Sequence, residues 1–310
     1  MYIGDIMLDK ISDSFNYISS NFKHININYE VIDKVVEEGN FDNLGCWLSS
    51  NPFGLMDMDL KDIINFLLIY HTVGDFCFWG EPKWEVKTDI GILDGSFAIM
   101  YLLLDKYKKK EDFNMSMLMF STLLDGNVEI PLLKERHDFL VEMNHYLSRH
   151  DFYEEIKDIN KDTELLDYIL DYFTYFKDES IYDGERVCFY KRAQLLISDI
   201  LHVKELNGIE VDYSNLLGCA DYKIPQVMNS FGMIEYSEEL DNMINNKVEI
   251  SKDSIYENEI RAACLAVIDY IYNKLDKKVA RMDINDYIWG LGQDKSKMTK
   301  LYHRTRTTCY

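Results

Sequence analysis

The chain has 310 residues, 47% of them hydrophobic and 14% aromatic, enough apolar surface for a sizeable globular core. Its formal charge of −21 excludes the basic footprint of general DNA or RNA binding, yet a nucleotide-sized ligand needs only a few local cations. Apolar runs such as 64–70 are too short and too closely flanked by charge to span a bilayer, which argues against a membrane partner.

Four prolines and a recurring 3.6-residue apolar period predict a mainly helical chain. Helices are expected over 6–22, 29–38, 60–72, 96–109, 132–148, 163–176, 186–204, 225–231, 255–276 and 283–291. Short strand-like pieces at 85–92 and 208–212 predict at most a small β ribbon. The expected architecture is one compact all-α domain spanning 1–310, with room for two lobes. Acidic residues interrupt the first apolar stretch, so no signal peptide is expected. Six cysteines are scattered without a CxxC pair, which predicts a reduced, cytoplasmic chain without structural zinc. The seven histidines have no spacing that suits a metal site.

In chain order, the first stretch that could carry chemistry is 74–85, the densest in aromatics. Its rings could stack a planar base, with Phe78 and Trp79 as first choices, and Asp75 or Glu81 could accept from the base edge. The competing reading makes Phe76, Phe78 and Trp79 ordinary core. Lys106–Lys110 is expected to be a solvated helix end, where cations complement the dipole.

Lys191 sits in a segment apolar on both sides, with Val187 and Leu195 four residues away in each direction. A lysine there should be desolvated, paired with an acid, or bound to a ligand anion. Its neighbour Arg192 reads as an exposed-edge residue. Asp221 precedes Pro225, a good first-turn residue, so its carboxylate can point into a cleft near a helix N-terminus or simply cap that helix. From Lys295 onward there are five cations and no acid, which reads either as an anion site or as a solvated end neutralised by acids elsewhere.

These residues fall within a set of ordered motifs. They are Asp75-Phe-Cys-Phe-Trp-Gly-Glu-Pro-Lys-Trp84, Glu129-Ile-Pro-Leu-Leu-Lys-Glu-Arg136, Tyr190-Lys-Arg-Ala-Gln194, Ala220-Asp-Tyr-Lys-Ile-Pro-Gln226, Glu259-Ile-Arg-Ala-Ala263, Asp286-Tyr-Ile-Trp289 and Tyr302-His-Arg-Thr-Arg-Thr307. Over about residues 70–310 the chain thereby resembles the queuosine salvage family, the queuosine 5′-phosphate N-glycosylase/hydrolases. The resemblance implies an all-α fold similar to helical DNA glycosylases. It also implies hydrolysis of queuosine 5′-monophosphate to queuine and ribose 5-phosphate, with a small-molecule nucleotide substrate and no metal or organic cofactor. Asp221 matches the family's essential carboxylate and Lys191 an active-site lysine. Asp75 stands where asparagine is expected in many relatives, and Cys309 interrupts an aromatic-rich ending.

Cleaving an N-glycosidic bond develops positive charge at the anomeric carbon, which a carboxylate can stabilise, attack, or oppose with activated water. A 7-deazapurine has carbon at position 7, so protonation there cannot assist departure. Lys191 is one candidate for helping the base leave, and it could equally hold phosphate or ribose. Arg304 and Arg306, with Lys191 or Lys223, are the candidate phosphate ligands, and Tyr222 lies beside them in the same motif as Asp221. The alternative is a non-catalytic helical protein that binds a deazaguanine nucleotide or a protein partner.

Overall fold

The computed structural model describes residues 3–310 apart from 43 and 45. The described residues are mainly helical, as expected, and carry three two-stranded antiparallel ribbons rather than one. The long helices are α1 (Ile3–Ser19), α2 (Tyr29–Glu38), α3 (Leu60–Val73), α4 (Gly95–Lys108), α6 (Leu133–Leu147), α8 (Asp162–Tyr172), α9 (Lys191–Leu206), α12 (Ile255–Lys274) and α13 (Arg281–Leu291). Shorter helices α5 (Met117–Leu123), α7 (Phe152–Ile156), α10 (Lys223–Ser230) and α11 (Glu238–Asn245) complete the set. No described helix is long and apolar enough to cross a membrane.

Helix α12 shows why these sequences form these elements. Ser254 accepts a hydrogen bond from the Glu257 N–H at 3.3 Å, and the Glu257 carboxylate reaches back to the Asp253 N–H at 3.0 Å. The Glu257 carboxylate thus reaches one residue further back than in a capping box, where it would meet the Ser254 N–H. Ile260, Cys264, Val267, Ile268 and Ile271 are fully buried along the helix. Helix α12 packs on α1 and α13, while α3 packs on α9 and α6. One apolar core runs through these contacts, from Leu8 in α1 to Ile288 in α13.

The ribbons depart from expectation in an instructive way. The piece at 85–92 folds on itself, β2 (Glu85–Thr88) pairing with β3 (Gly91–Asp94). The piece at 208–212 forms a single bridge, Lys161 to Asp212, and no strand. A ribbon of β4 (Glu179–Tyr182) and β5 (Glu185–Cys188) occupies what reads as the start of a helix at 186. Its turn is Asp183-Gly184, both with positive φ (46° and 87°), the dipeptide that suits a tight hairpin. Tyr190, at φ 48°, then redirects the chain, and α9 begins at Lys191 itself. The remaining ribbon joins β1 (Ile25–Ile27) to β6 (Ile234–Tyr236).

Candidate functional site

A cavity of about 130 Å³ opens where α3, α4, α9, α10 and α13 converge. Lys191 and Leu195 of α9 line one part of it. Cys219, Asp221 and Tyr222 enter from the loop before α10, and Lys223 and Ile224 from its first turn. Asn285, Asp286 and Trp289 come from α13, Ser96, Phe97 and Met100 from α4, and Tyr70 from α3. Asp75 and Phe78, just after α3, and Trp47 close the lining. Among the described residues, no group of three or more His, Cys, Asp or Glu side chains could hold a metal ion.

Both readings of Asp221 hold together. Its Oδ1 accepts from the N–H groups of Lys223 (2.8 Å) and Ile224 (2.9 Å), so it caps α10, and it also faces the cavity. Oδ2 has no hydrogen-bond partner among the described residues. The loop delivering it is tightly specified. Gly218 has φ +120°, and a Cβ there would come within 2.8 Å of Ile268 Cδ1, so only glycine suits the position. The Leu217 N–H donates to Gln194 Oε1 at 2.7 Å, and the Cys219 N–H to Asn285 Oδ1 at 3.0 Å.

Lys191 is buried, and its Nζ donates to the backbone carbonyl of Asp75 at 3.2 Å. Its own N–H faces Asp178 Oδ2 at 3.3 Å. Arg261 of α12 ties this end of α9 to the Asp221 loop. It donates to both Asp178 oxygens (2.8 and 2.5 Å) and, through Nε, to the Ala220 carbonyl at 3.1 Å. The Phe189 and Tyr310 rings lie against the guanidinium, with centroids 4.0 and 4.7 Å away. One buried arginine thus fixes the spacing between Lys191 and Asp221. Glu259, two residues earlier on α12, faces elsewhere and accepts from the N–H groups of Lys23 and His24.

Behind Lys191 lies a buried charge network. Arg192 is not at an exposed edge: it is 1% exposed and donates to Asp75 Oδ1 at 2.8 Å and to the carbonyls of His71, Thr72, Tyr175 and Thr308. Asp75 Oδ2 meets His71 Nδ1 at 3.0 Å, so both Asp75 oxygens are already engaged, which weakens its case as an acceptor for a base edge. Burial works against the Asp75 carboxylate, but Arg192, Lys191 and His71 outweigh it and hold its pKa well below the usual range. His71 Nε2 meets Asp199 Oδ2 at 2.9 Å, and the Trp47 indole donates to the other Asp199 oxygen at 2.9 Å.

With a carboxylate at each nitrogen, the His71 ring must donate twice, so it is an imidazolium. Burial opposes that charge, and the bonds to Asp199 and Asp75 overcome it, raising the pKa above the ordinary value of 6.5. A raised pKa gives stability that is complete below pH 6.5 and is lost as pH climbs through the folded value. His71→Gln should therefore cost about 3–5 kcal/mol at or below neutral pH. The gap in Tm between wild type and variant should shrink as pH rises. A gap that stays constant across the alkaline range would contradict a charged His71.

The other expected residues divide. Phe78, Tyr222 and Lys223 line the cavity with Asp75, Lys191 and Asp221. Trp79, Arg304 and Arg306 do not appear in its lining. Trp79 is buried with Phe76 and Cys77 in a small separate cluster, its indole donating to the Thr305 carbonyl at 2.9 Å. Arg304 pairs with Glu81 at 2.6 Å and Arg306 approaches Glu249 at 3.9 Å, the two guanidinia lying 5.9 and 4.8 Å from the Trp79 ring. Arg304, Arg306 and Lys300 are thus neutralised by acids from distant sequence, while Lys297 pairs with nearby Asp294. The tail is solvated only in its first part, where Lys295 and Lys297 are exposed; beyond it His303, Thr305, Thr307 and Tyr310 are buried. Lys106 is buried too, against the expectation of a fully solvated cluster, and pairs with Glu111 at 3.0 Å.

The site also contains residues to which the sequence assigned no role. Asp286 and Trp289 lie one turn apart on α13 and share the cavity wall with Asn285. Phe97 and Met100 add apolar surface from α4. The motif Asp286-Tyr-Ile-Trp289 held the signal for two of these, but periodicity alone does not say which face of α13 meets a cavity.

Comparison with known proteins places this geometry. The profile described as "Queuosine salvage protein" matches residues 55–310, which covers every residue lining the cavity except Trp47. The chain belongs to the queuosine salvage protein family. It is similar to a Sphaerobacter thermophilus protein named queuosine 5′-phosphate N-glycosylase/hydrolase, with 31% identity over 265 residues, 80% of this chain and 81% of the relative. A Dictyostelium discoideum protein of the same name is 28% identical over 330 aligned positions, 98% of this chain and 99% of the relative. One from Bos taurus is 26% identical over 281, covering 80% and 81%. The family match includes all the motifs that carried the resemblance, and the structure brings four of them (those of Asp75, Lys191, Asp221 and Asp286) to one cavity.

Proposed function

We propose that the chain hydrolyses the N-glycosidic bond of queuosine 5′-phosphate, releasing queuine and ribose 5-phosphate. The observation that carries this is the convergence of Asp221 and Lys191 on one aromatic-walled cavity, in a chain similar to proteins named for that activity. Asp221 lies at the anomeric carbon, where its free oxygen stabilises the oxocarbenium charge that develops as the bond lengthens. Phe78, Phe97 and Trp289 hold the planar base, and Tyr222 lies beside Asp221 on the ribose side.

Of the four cations considered for the 5′-phosphate, Lys191 and Lys223 line the cavity, whereas Arg304 and Arg306 are paired with acids. Lys223 at the N-terminus of α10 is therefore the phosphate ligand, with Lys191 deeper and close to the sugar. The substrate is a free nucleotide: the net charge of −21 disfavours a polynucleotide. Residues 1–310 act as one domain, and six free cysteines suit a reducing, cytoplasmic setting. Comparing queuosine 5′-phosphate with dephosphorylated queuosine tests the proposal. The nucleotide should react far faster, and equal rates would remove the phosphate from recognition.

A further inference from the structure

Three acidic side chains line the cavity, Asp75, Asp221 and Asp286, and Asp199 and Asp283 act on Asp286 from behind its wall. As cations, Asp75 has Arg192 and His71, Asp199 has His71, and Asp283 has His202 at 3.1 Å. Asp286 lines the cavity itself, and among the described residues no cation lies within ion-pair distance of it. Its hydrogen-bond partner is the Asn285 side-chain amide at 3.3 Å.

We infer that Asp286 is the acid that protonates the departing base. This rests on the hydrolase proposed above, and it supplies what that chemistry lacks: a proton donor for a base with carbon at position 7. The C1′–N9 bond breaks with its electron pair going to the base, and the Asp286 proton passes to a remaining heteroatom, ring N3 or the exocyclic O6. The hydroxyl of a water molecule adds to C1′, and that water's second proton replaces the one Asp286 gave. The products are neutral base and ribose 5-phosphate.

The surroundings of Asp286 favour its protonated form. Burial raises its pKa first and the Asp199 carboxylate on α9 raises it further, with Asp283 on its own helix adding to this. His202 on α9 and the Asn285 amide pull the other way, and the balance leaves it pushed up to about 7. Cys219 faces it from the Asp221 loop as a buried thiol whose own pKa is raised. A carboxylic acid in that range suits general acid catalysis near neutral pH.

The decisive experiment compares kcat/KM against pH for two substrates of the same protein. One is queuosine 5′-phosphate; the other is 4-nitrophenyl riboside 5-phosphate, whose phenolate leaves without a proton. Wild type should lose activity on the first as pH rises through about 7 and show no such limb on the second. Asp286→Asn, measured below pH 7, should lose roughly 10²–10⁴-fold on the deazapurine nucleotide and under about 10-fold on the nitrophenyl substrate. Equal losses on both, or an alkaline limb that persists in Asp286→Asn, would overturn the inference. If the variant does not fold, the two wild-type profiles decide: matching alkaline limbs overturn it. Wild type that releases no base contradicts the hydrolase proposal itself. Base release without these signatures rejects Asp286 alone.

Discussion

Asp221→Asn should abolish base release while leaving the fold and ligand binding nearly intact. The substitution is close to isosteric, and the asparagine Oδ1 can still accept from the Lys223 and Ile224 N–H groups. The cap of α10 therefore survives, and the change in unfolding free energy should stay within about 1 kcal/mol. On the proposed mechanism, what is lost is the negative charge beside the anomeric carbon, which matters chiefly in the transition state. Such a loss should appear in kcat rather than KM, by roughly 10³-fold or more. A variant that retains full activity would remove Asp221 from the chemistry. A variant that loses both activity and fold would instead give it a purely structural role.

Arg261→Met should carry a stability cost as large as that of His71→Gln. The guanidinium is 1% exposed, and its removal leaves the buried Asp178 carboxylate without its cation and the Ala220 carbonyl without a donor. Breaking one side of such a pair costs about 3–5 kcal/mol. Pairing it with Asp178→Asn should recover part of that cost, because the uncompensated charge is then gone as well. Denaturant unfolding of the two single variants and the double variant measures the coupling. Strict additivity would show that Arg261 acts through Glu257, 3.7 Å away, or through packing on Phe189 and Tyr310, rather than through Asp178. Either single change should also lower kcat, because Lys191 and the Asp221 loop lose their common anchor.

Long helices were readable because each buries a stripe that recurs at helical period, as in Ile260, Cys264, Val267 and Ile271 of α12. The hairpin of β4 and β5 was also signalled, by Asp183-Gly184, but Val187 and Phe189 fit the apolar face of the following helix and obscured it. Tyr190, in the left-handed region, marks the boundary, and no local pattern announces a tyrosine there. Asp221 and Lys191 were legible as candidates because each stands out from its neighbours. The fate of Arg304 and Arg306 was not, since their partners Glu81 and Glu249 come from elsewhere in the sequence. For the same reason the His71 bridge between Asp75 and Asp199 is invisible locally: one partner is four residues away and the other 128. Asp286 stands out by lining the cavity without the cation that Asp75, Asp199 and Asp283 each have, and that is a property of the fold.

The most direct test of a hydrolytic cavity is a product assay. Purified protein is incubated with queuosine 5′-phosphate, and the base and the sugar phosphate are separated chromatographically. Catalysis at this site predicts free queuine and ribose 5-phosphate in equal amounts, over many turnovers, with none produced by Asp221→Asn. Saturable binding of the nucleotide with no sugar phosphate released would contradict it, and would make the cavity a binding site alone.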